Sequence, residues 1–324
     1  MDVTRPLLEL ASVRKVYGDG TTAVQDLTLS IDRGEIAALV GPSGCGKSTT
    51  LRMINRLVEP SSGTITLDGR DVMQMNPVEL RRGIGYVIQQ IGLFPHQKVL
   101  ANVMTVPSLL GTPKAKARTR AAELLELVGL DPATYGDRYP HQLSGGQQQR
   151  VGVARALAAD PPMLLMDEPF GAVDPLERTR LQEEFRALHQ RLGTTVVLVT
   201  HDLDEAVRLA DRIAVMAPGG RLAQWGTPAE VLARPADDYV ASFVGSTSGL
   251  RRLSVTRIDE SLLQPLDGVN AGSLSATIEV DATLEQALAL LLRDDRGLIG
   301  VTRGATILGV LTPDGVHRAL RASL

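Results

Sequence analysis

Gly41-Pro42-Ser43-Gly44-Cys45-Gly46-Lys47-Ser48 is the stretch from which the rest of the chain is read. It has the spacing GxxxxGKS of a phosphate-binding loop. An apolar run, Ile36 to Val40, leads into it and a helix-compatible segment, Lys47 to Leu57, leaves it. Strand, glycine loop and helix in that order form the context such a loop needs. Glycines let successive backbone N–H groups turn inward around the β- and γ-phosphates, and the helix N-terminus adds the positive end of its dipole. Lys47 supplies a point charge and Ser48 offers a hydroxyl to Mg²⁺. The candidate nucleotide site therefore runs from Gly41 through Thr49. The competing reading, a glycine-rich turn that binds nothing, does not explain the strand and helix on either side.

A second apolar strand, Met163 to Met166, ends in Asp167-Glu168-Pro169. In a parallel sheet this places both carboxylates at the C-terminal edge, beside the glycine loop. Asp167 would hold Mg²⁺, directly or through water, and Glu168 would polarise the water that attacks the γ-phosphate. Without the loop, an apolar run followed by two acids is an ordinary strand end.

The remaining elements set the fold class. Leu27, Leu29 and Ile31 alternate with Asp26, Thr28 and Ser30, the period of a half-buried antiparallel sheet. Thr64 to Leu67 alternates again and ends at Asp68-Gly69, a hairpin signal. The middle third turns helical at KAKARTRAAELLELVGL, residues 114–130. Leu181, Phe185, Leu188 and Leu192 recur at helical spacing up to Gly193, a C-cap residue. A β-branched strand, Thr194 to Thr200, then delivers His201. Strands alternating with helices of this length imply a parallel sheet covered on both faces.

With 324 residues, 44% hydrophobic and 22% charged, the chain is sized for one large core and a second, smaller domain. Aromatics at 3% and a net charge of -3 provide neither stacking platforms nor a basic footprint, so nucleic acid is not an expected partner. The one cysteine, Cys45, forms no disulfide within the chain, and no secretory pattern opens it. No stretch approaches the roughly 20 apolar residues of a membrane-spanning helix. A cytosolic compartment is expected, with any membrane role exercised through a partner.

Leu143-Ser144-Gly145-Gly146-Gln147 matches the signature LSGGQ and lies between the glycine loop and the acidic strand, as in ABC ATPases. Over residues 7–245 the chain resembles that family. The resemblance implies that Ser144, Gly145, Gly146 and Gln147 of one subunit cap the γ-phosphate of ATP held by the other, so that a homodimer shares each site. It also implies roles for four further positions. Gln89, in Gly85-Tyr86-Val87-Ile88-Gln89, matches the glutamine loop that contacts Mg²⁺ or the attacking water. His201 matches the switch histidine that orients the water of Glu168. Asp174, in Gly171-Ala172-Val173-Asp174, fits the loop passing between subunits, and Tyr17 fits the aromatic that stacks on adenine, where packing alone is the alternative. Trp225 is read as packing only.

No membrane domain is fused to the cassette, so the chain is similar to importer subunits, which work with integral membrane permease subunits and an extracytoplasmic substrate-binding protein. That would place it on the cytoplasmic face of the membrane. IGYVIQQIGLFPH, residues 84–96 with the pair Gln89-Gln90, is similar to the ATPases of osmoprotectant importers for glycine betaine, choline, carnitine or proline. Another small solute remains an alternative cargo, and a soluble ABC ATPase acting on DNA or ribosomes an alternative class. Residues 276–320 resemble one CBS motif: Thr283 and Gln286 as a capping box, a helix Leu284 to Leu292, a hairpin of Leu298 to Val301 with Thr306 to Leu311, and a helix from Asp314. Only one copy is found where such tails usually hold two, so ligand binding and a dimerisation appendage stay equally open. The expected layout is a nucleotide-binding domain over 1–245, a linker over 246–275 and the CBS-like segment over 276–324. The expected fold is an α/β P-loop NTPase of ABC type: a parallel sheet core, an antiparallel β subdomain, a helical subdomain and a small α+β tail.

Overall fold

The computed structural model of the chain describes residues 6–89, 92–171, 173–245, 248–265, 274, 276–294, 297–304 and 306–322. Two units are separately compact, one ending at Trp225 and the other beginning at Gly226.

Among the described residues the first unit is built on ten strands: β1 (Leu8–Val16), β2 (Thr22–Ile31), β3 (Ile36–Val40), β4 (Ser62–Leu67), β5 (Arg70–Asp71), β6 (Ile84–Val87), β7 (Met163–Asp167), β8 (Thr195–Thr200), β9 (Arg212–Ala217) and β10 (Arg221–Gly226). Their order in the sheet is β5-β4-β1-β2-β10-β9-β3-β8-β7-β6. Strand β3 pairs in parallel with β8 and β9, and β7 with β6 and β8, while β1 pairs antiparallel with β2 and β4. The expected parallel core and antiparallel subdomain are thus two halves of one sheet. Every residue of β3, β7 and β8 is buried, the signature of strands covered on both faces. Large side chains there, such as Ile36 and Leu39, each contribute about 1.5–3 kcal/mol by leaving water.

Parallel strands bring their C-terminal ends to one edge. Val40, Asp167 and Thr200 finish β3, β7 and β8 in register, with Val40 opposite Thr200 and Asp167 opposite Val199. The glycine loop, the acidic pair and His201 follow directly on these ends. The helix Lys47–Ile54 starts at Gly46 and buries Leu51, Met53 and Ile54.

A helical insertion lies between β6 and β7. Helices Val99–Val103, Lys114–Leu127 and Gly145–Leu157 pack on one another through Val99, Val103, Ala117, Ala121, Leu124 and Val151. Arg155, near the end of the last helix, donates to the Gly92 carbonyl at 2.6 Å and so ties the insertion to the segment after β6.

In the second unit, β11 (Thr277–Glu279), β12 (Ile299–Arg303) and β13 (Thr306–Leu311) form a sheet in that order, the first pair parallel and the second antiparallel. Thr283 caps the helix Leu284–Leu291 and Gln286 closes the capping box. The expected linker departs from the structure. Within 246–275, residues Ser248–Val255 form a helix and Glu260–Leu262 a 3-10 turn, while Gln264 bridges to Val310. Leu253 and Ile258 belong to the same core as Leu284, Ile299 and Val316. The compact boundary also falls twenty residues before 245, because the helix Pro228–Ala233 packs on Ser248–Val255. Apolar residues too irregularly spaced to signal an element are buried here by long-range contact.

Candidate functional site

The loop Gly41–Gly46 has left-handed backbone at Gly41, Gly44 and Gly46. Gly46, at φ +93°, lies against β2: a Cβ there would meet the Ala23 carbonyl oxygen at 2.1 Å. Lys47 is buried, and its ammonium donates to the carbonyls of Gly41 at 2.7 Å and Pro42 at 2.8 Å. Its charge is thereby held inside the turn of the loop. The Cys45 thiol is also buried, and burial pushes its pKa up, with the charge of Lys47 opposing.

Ser48 Oγ donates to Asp167 Oδ1 at 2.9 Å. Burial raises the Asp167 pKa, the Ser48 hydrogen bond lowers it, and the neighbouring Glu168 charge raises it again. A hydroxyl and a carboxylate that is costly to keep ionised are the hard oxygen donors a divalent cation stabilises. Among the described residues no group of three or more His, Cys, Asp or Glu is arranged for a metal. That donor set fits Mg²⁺, which takes one or two protein oxygens and fills its octahedron with water and phosphate.

Glu168 has φ +45°, a backbone region that non-glycine residues rarely occupy. Its N–H donates to the Val199 carbonyl at 2.9 Å, so pairing with β8 continues past the end of β7 and fixes the turn. Its Oε2 accepts from Gln89 Nε2 at 3.0 Å and lies 3.4 Å from His201 Nδ1. Three residues read separately from the sequence therefore meet on one carboxylate oxygen.

Ser144 is the N-cap of the helix Gly145–Leu157. Its Oγ accepts from Gln147 N at 3.3 Å, Gln147 Oε1 accepts from Ser144 N at 3.0 Å, and Gln147 Nε2 donates to the Tyr135 hydroxyl at 3.3 Å. Among the described residues no hydrogen bond or ion pair joins Ser144, Gly145, Gly146 or Gln147 to the glycine loop or to Glu168. Tyr17, in the turn between β1 and β2, is exposed, with Lys15 Nζ 5.2 Å from its ring centroid. Trp225 packs on the core under the Arg212 guanidinium, 4.5 Å from its ring centroid. Gln90 and Ala172, named in the sequence patterns, lie outside the described residues.

Over 286 residues the chain is 51% identical to the glycine betaine/carnitine/choline transport ATP-binding protein OpuCA of Bacillus subtilis, covering 88% of this chain and 72% of that protein. The chain belongs to the ABC transporter ATP-binding proteins. The ABC transporter family model matches residues 24–171. The chain is also 46% identical over 312 residues to the glycine betaine uptake system ATP-binding protein YehX of Escherichia coli, with 95% of each chain covered. Among solved structures it is similar to MJ0796, a bacterial ABC transporter cassette in its dimeric form. There the TM-score is 0.61 at 36% identity, covering 68% of this chain and 98% of that one. The fold of the first unit is that of an ABC-type P-loop NTPase, to which the second unit is an addition.

For an ABC cassette, sequence reasoning passed over two residues near the site. Glu205 is buried, and burial with the nearby Asp202 charge pushes its pKa to about 7, while a Thr200 hydrogen bond opposes. Arg178 donates to the Val173 carbonyl at 3.2 Å. Asp202 and Glu205 read as an ordinary N-cap and first-turn acid, a pattern that carries no sign of burial.

Proposed function

We propose that two copies of this chain bind two Mg-ATP between them and hydrolyse it to energise import of a quaternary ammonium osmoprotectant such as glycine betaine, choline or carnitine. The observation that carries the chemistry is the meeting of Gln89, Glu168 and His201 at the sheet edge where Ser48 holds Asp167. A water placed against Glu168 Oε2 attacks the γ-phosphorus as the bond to the β–γ bridging oxygen breaks; ADP leaves and the proton passes to the carboxylate. Gln89 and His201 orient that carboxylate and its water. Lys47 exchanges its bonds to the Gly41 and Pro42 carbonyls for charge-assisted bonds to phosphate. When bound through Ser48 and Asp167, with Gln89 nearby, Mg²⁺ would neutralise charge on the β- and γ-phosphates. Tyr17 offers its exposed ring to the adenine.

The lid over each γ-phosphate comes from Ser144, Gly145, Gly146 and Gln147 of the second copy; among the described residues none of the four bonds to the glycine loop or to Glu168 of its own chain. Among the described residues no helix is long and apolar enough to cross a membrane, so coupling runs through separate permease subunits at the cytoplasmic face, supplied by an extracytoplasmic binding protein. The cargo assignment is supported by the names of the near-full-length relatives. Residues 276–324 are read as a single CBS-like appendage of the cassette.

The test is uptake of labelled glycine betaine, choline and carnitine at high external osmolarity in cells with and without this chain. Loss of uptake on deletion and its return with the wild-type chain, but not with Glu168→Gln, is expected. Undiminished uptake of all three would overturn the cargo. ATP hydrolysis by a provably monomeric protein at a rate per molecule independent of dilution would overturn the shared site.

A further inference from the structure

The loop that presents His201 is built on a second carboxylate. Thr200, the last residue of β8, accepts a hydrogen bond on its Oγ1 from Asp202 N at 3.0 Å, so the residues flanking His201 are tied to each other across it. Asp202 then caps the helix Leu203–Leu209, its Oδ1 accepting from Asp204 N at 2.9 Å and Glu205 N at 3.3 Å. Glu205 turns inward from that first turn, 5% exposed, and its carboxyl faces the Thr200 hydroxyl. The backbone on both sides of His201 is thus set by a ring whose innermost member is Glu205.

One oxygen of that member is unsatisfied. Among the described residues Glu205 Oε1 is buried with no hydrogen-bond partner, and so is the Nε of Arg178. Arg178 stands on the helix Pro175–Leu192, which packs on the helix of Glu205, and its charge acts favourably on the Glu205 carboxylate. The same guanidinium holds the Val173 carbonyl through Nη2, one residue before Asp174 of the loop expected to pass between subunits. A buried carboxylate and a half-buried guanidinium, each with a buried polar atom that has no partner among the described residues, therefore stand between the loop at Val173 and the loop at His201.

We propose that Glu205 is a positioning residue for His201 and that Arg178 is its counter-charge, linking the loop at Val173 to the switch histidine. Glu205 acts by holding Thr200 and hence the direction of the imidazole toward Glu168. Burial most of all, then the Asp202 and Glu168 charges, disfavour its ionised form, and the Thr200 hydroxyl and Arg178 favour it. The ionised form is the one that engages both Thr200 and Arg178. The proposal rests on the reading of Glu168 and His201 as the water-activating pair.

The experiment measures kcat and KM for ATP against pH in the wild type, Glu205→Gln, Arg178→Gln, the double variant and His201→Ala, with a melting curve for each. Wild-type kcat is expected to rise as pH passes through about 7, where Glu205 ionises. Glu205→Gln should lower kcat roughly tenfold to a hundredfold, as misplacement of a catalytic group does, with KM within about twofold and the rise near neutrality gone. At pH 8 its melting temperature should be no lower than that of the wild type, which a merely structural carboxylate would not give. The double variant should be no slower than the worse single variant, because the two act as a unit. Should Glu205→Gln not fold, Arg178→Lys, which keeps the charge without the fork, is read in its place and should lower kcat with KM unmoved. Unchanged kcat and pH profile in Glu205→Gln, or multiplying losses in the double variant, would overturn the proposal if His201→Ala is inactive. If His201→Ala retains turnover, the underlying reading of the site has failed instead.

Discussion

Ser48 Oγ and Asp167 Oδ1, 119 residues apart in sequence, are joined by a hydrogen bond of 2.9 Å at the common edge of β3 and β7. The hydroxyl that opens the loop helix and the carboxylate that ends the acidic strand form one oxygen pair, and the Asp167 charge is costly to bury. Asp167→Asn removes the charge and keeps the shape. ATP affinity measured with Mg²⁺ should fall about tenfold or more, while affinity in excess chelator should be unchanged, because second-sphere and ligand losses of this kind cost about that much. Titration calorimetry with and without Mg²⁺ checks it, and equal losses in both would remove Asp167 from the metal site.

Glu168→Gln keeps the acceptor oxygen geometry but cannot take a proton. Turnover should drop by about 10²–10⁴, the range for loss of a general base, with ATP still bound. The ATP-bound form should then accumulate as a dimer, visible by size-exclusion chromatography with light scattering. Turnover within threefold or so of the wild type would assign the base elsewhere.

Ser144→Arg places a long cation at the N-cap of the signature helix and removes the Oγ that accepts from Gln147. Losing the cap costs about 1 kcal/mol, a minor fraction of domain stability, so the variant should fold. Nucleotide binding by the glycine loop should persist, and hydrolysis and ATP-dependent dimerisation should be lost. The decisive measurement mixes Ser144→Arg with Lys47→Ala protein: a mixed dimer keeps one complete site on the shared-pocket arrangement, so mixing should restore part of the activity. No restoration would count against a lid donated by the second copy.

The sheet core was legible because its strands carry uninterrupted apolar runs, as in Ile36 to Val40 and Met163 to Met166, and runs of that kind need no partner to be recognised. The order of β10 and β9 between β2 and β3 was not, since nothing local in Arg221 to Gly226 encodes which strand it meets. The candidate site residues were legible where a spacing has its own chemistry, as at Gly41 to Ser48, and through resemblance at Gln89, Ser144 and His201. The convergence of Gln89 and His201 on Glu168 Oε2 required the three-dimensional fold. Glu205 and Arg178 stayed hidden because solvated helix-start acids and surface arginines have the same letters; only burial separates them.

Gly46 and Gly44 separate two costs of replacing a glycine in the loop. Both have left-handed backbone, φ +93° and +79°, but a Cβ at Gly46 would stand 2.1 Å from the Ala23 carbonyl oxygen while one at Gly44 would meet nothing within 4 Å. Gly44→Ala should cost only the conformational penalty of about 1–2 kcal/mol. Gly46→Ala should cost more, since β2 must move away from the loop, and should lower ATP affinity with it. Melting curves and nucleotide titration of the two variants provide the comparison, and equal effects would mean that the contact with β2 is unimportant.

Glu205 also makes stability depend on pH in a stated direction. Its carboxyl titrates at about 7 in the folded chain against an ordinary value of 4.5, so between those values the folded state holds a proton that the unfolded state has released. The folded form is therefore favoured by this group at low pH, and the advantage is lost as pH rises from about 4.5 to about 7. At 1.36 kcal/mol per unit, the loss is about 3 kcal/mol above neutrality. Glu205→Gln abolishes the titration, so denaturant unfolding between pH 5 and about 8 should show a flatter stability profile than the wild type. Its deficit should shrink, or its advantage grow, as pH rises. A variant that follows the wild-type profile in parallel would show that Glu205 is ionised throughout that range, and with it that Arg178 already satisfies the charge in the resting chain.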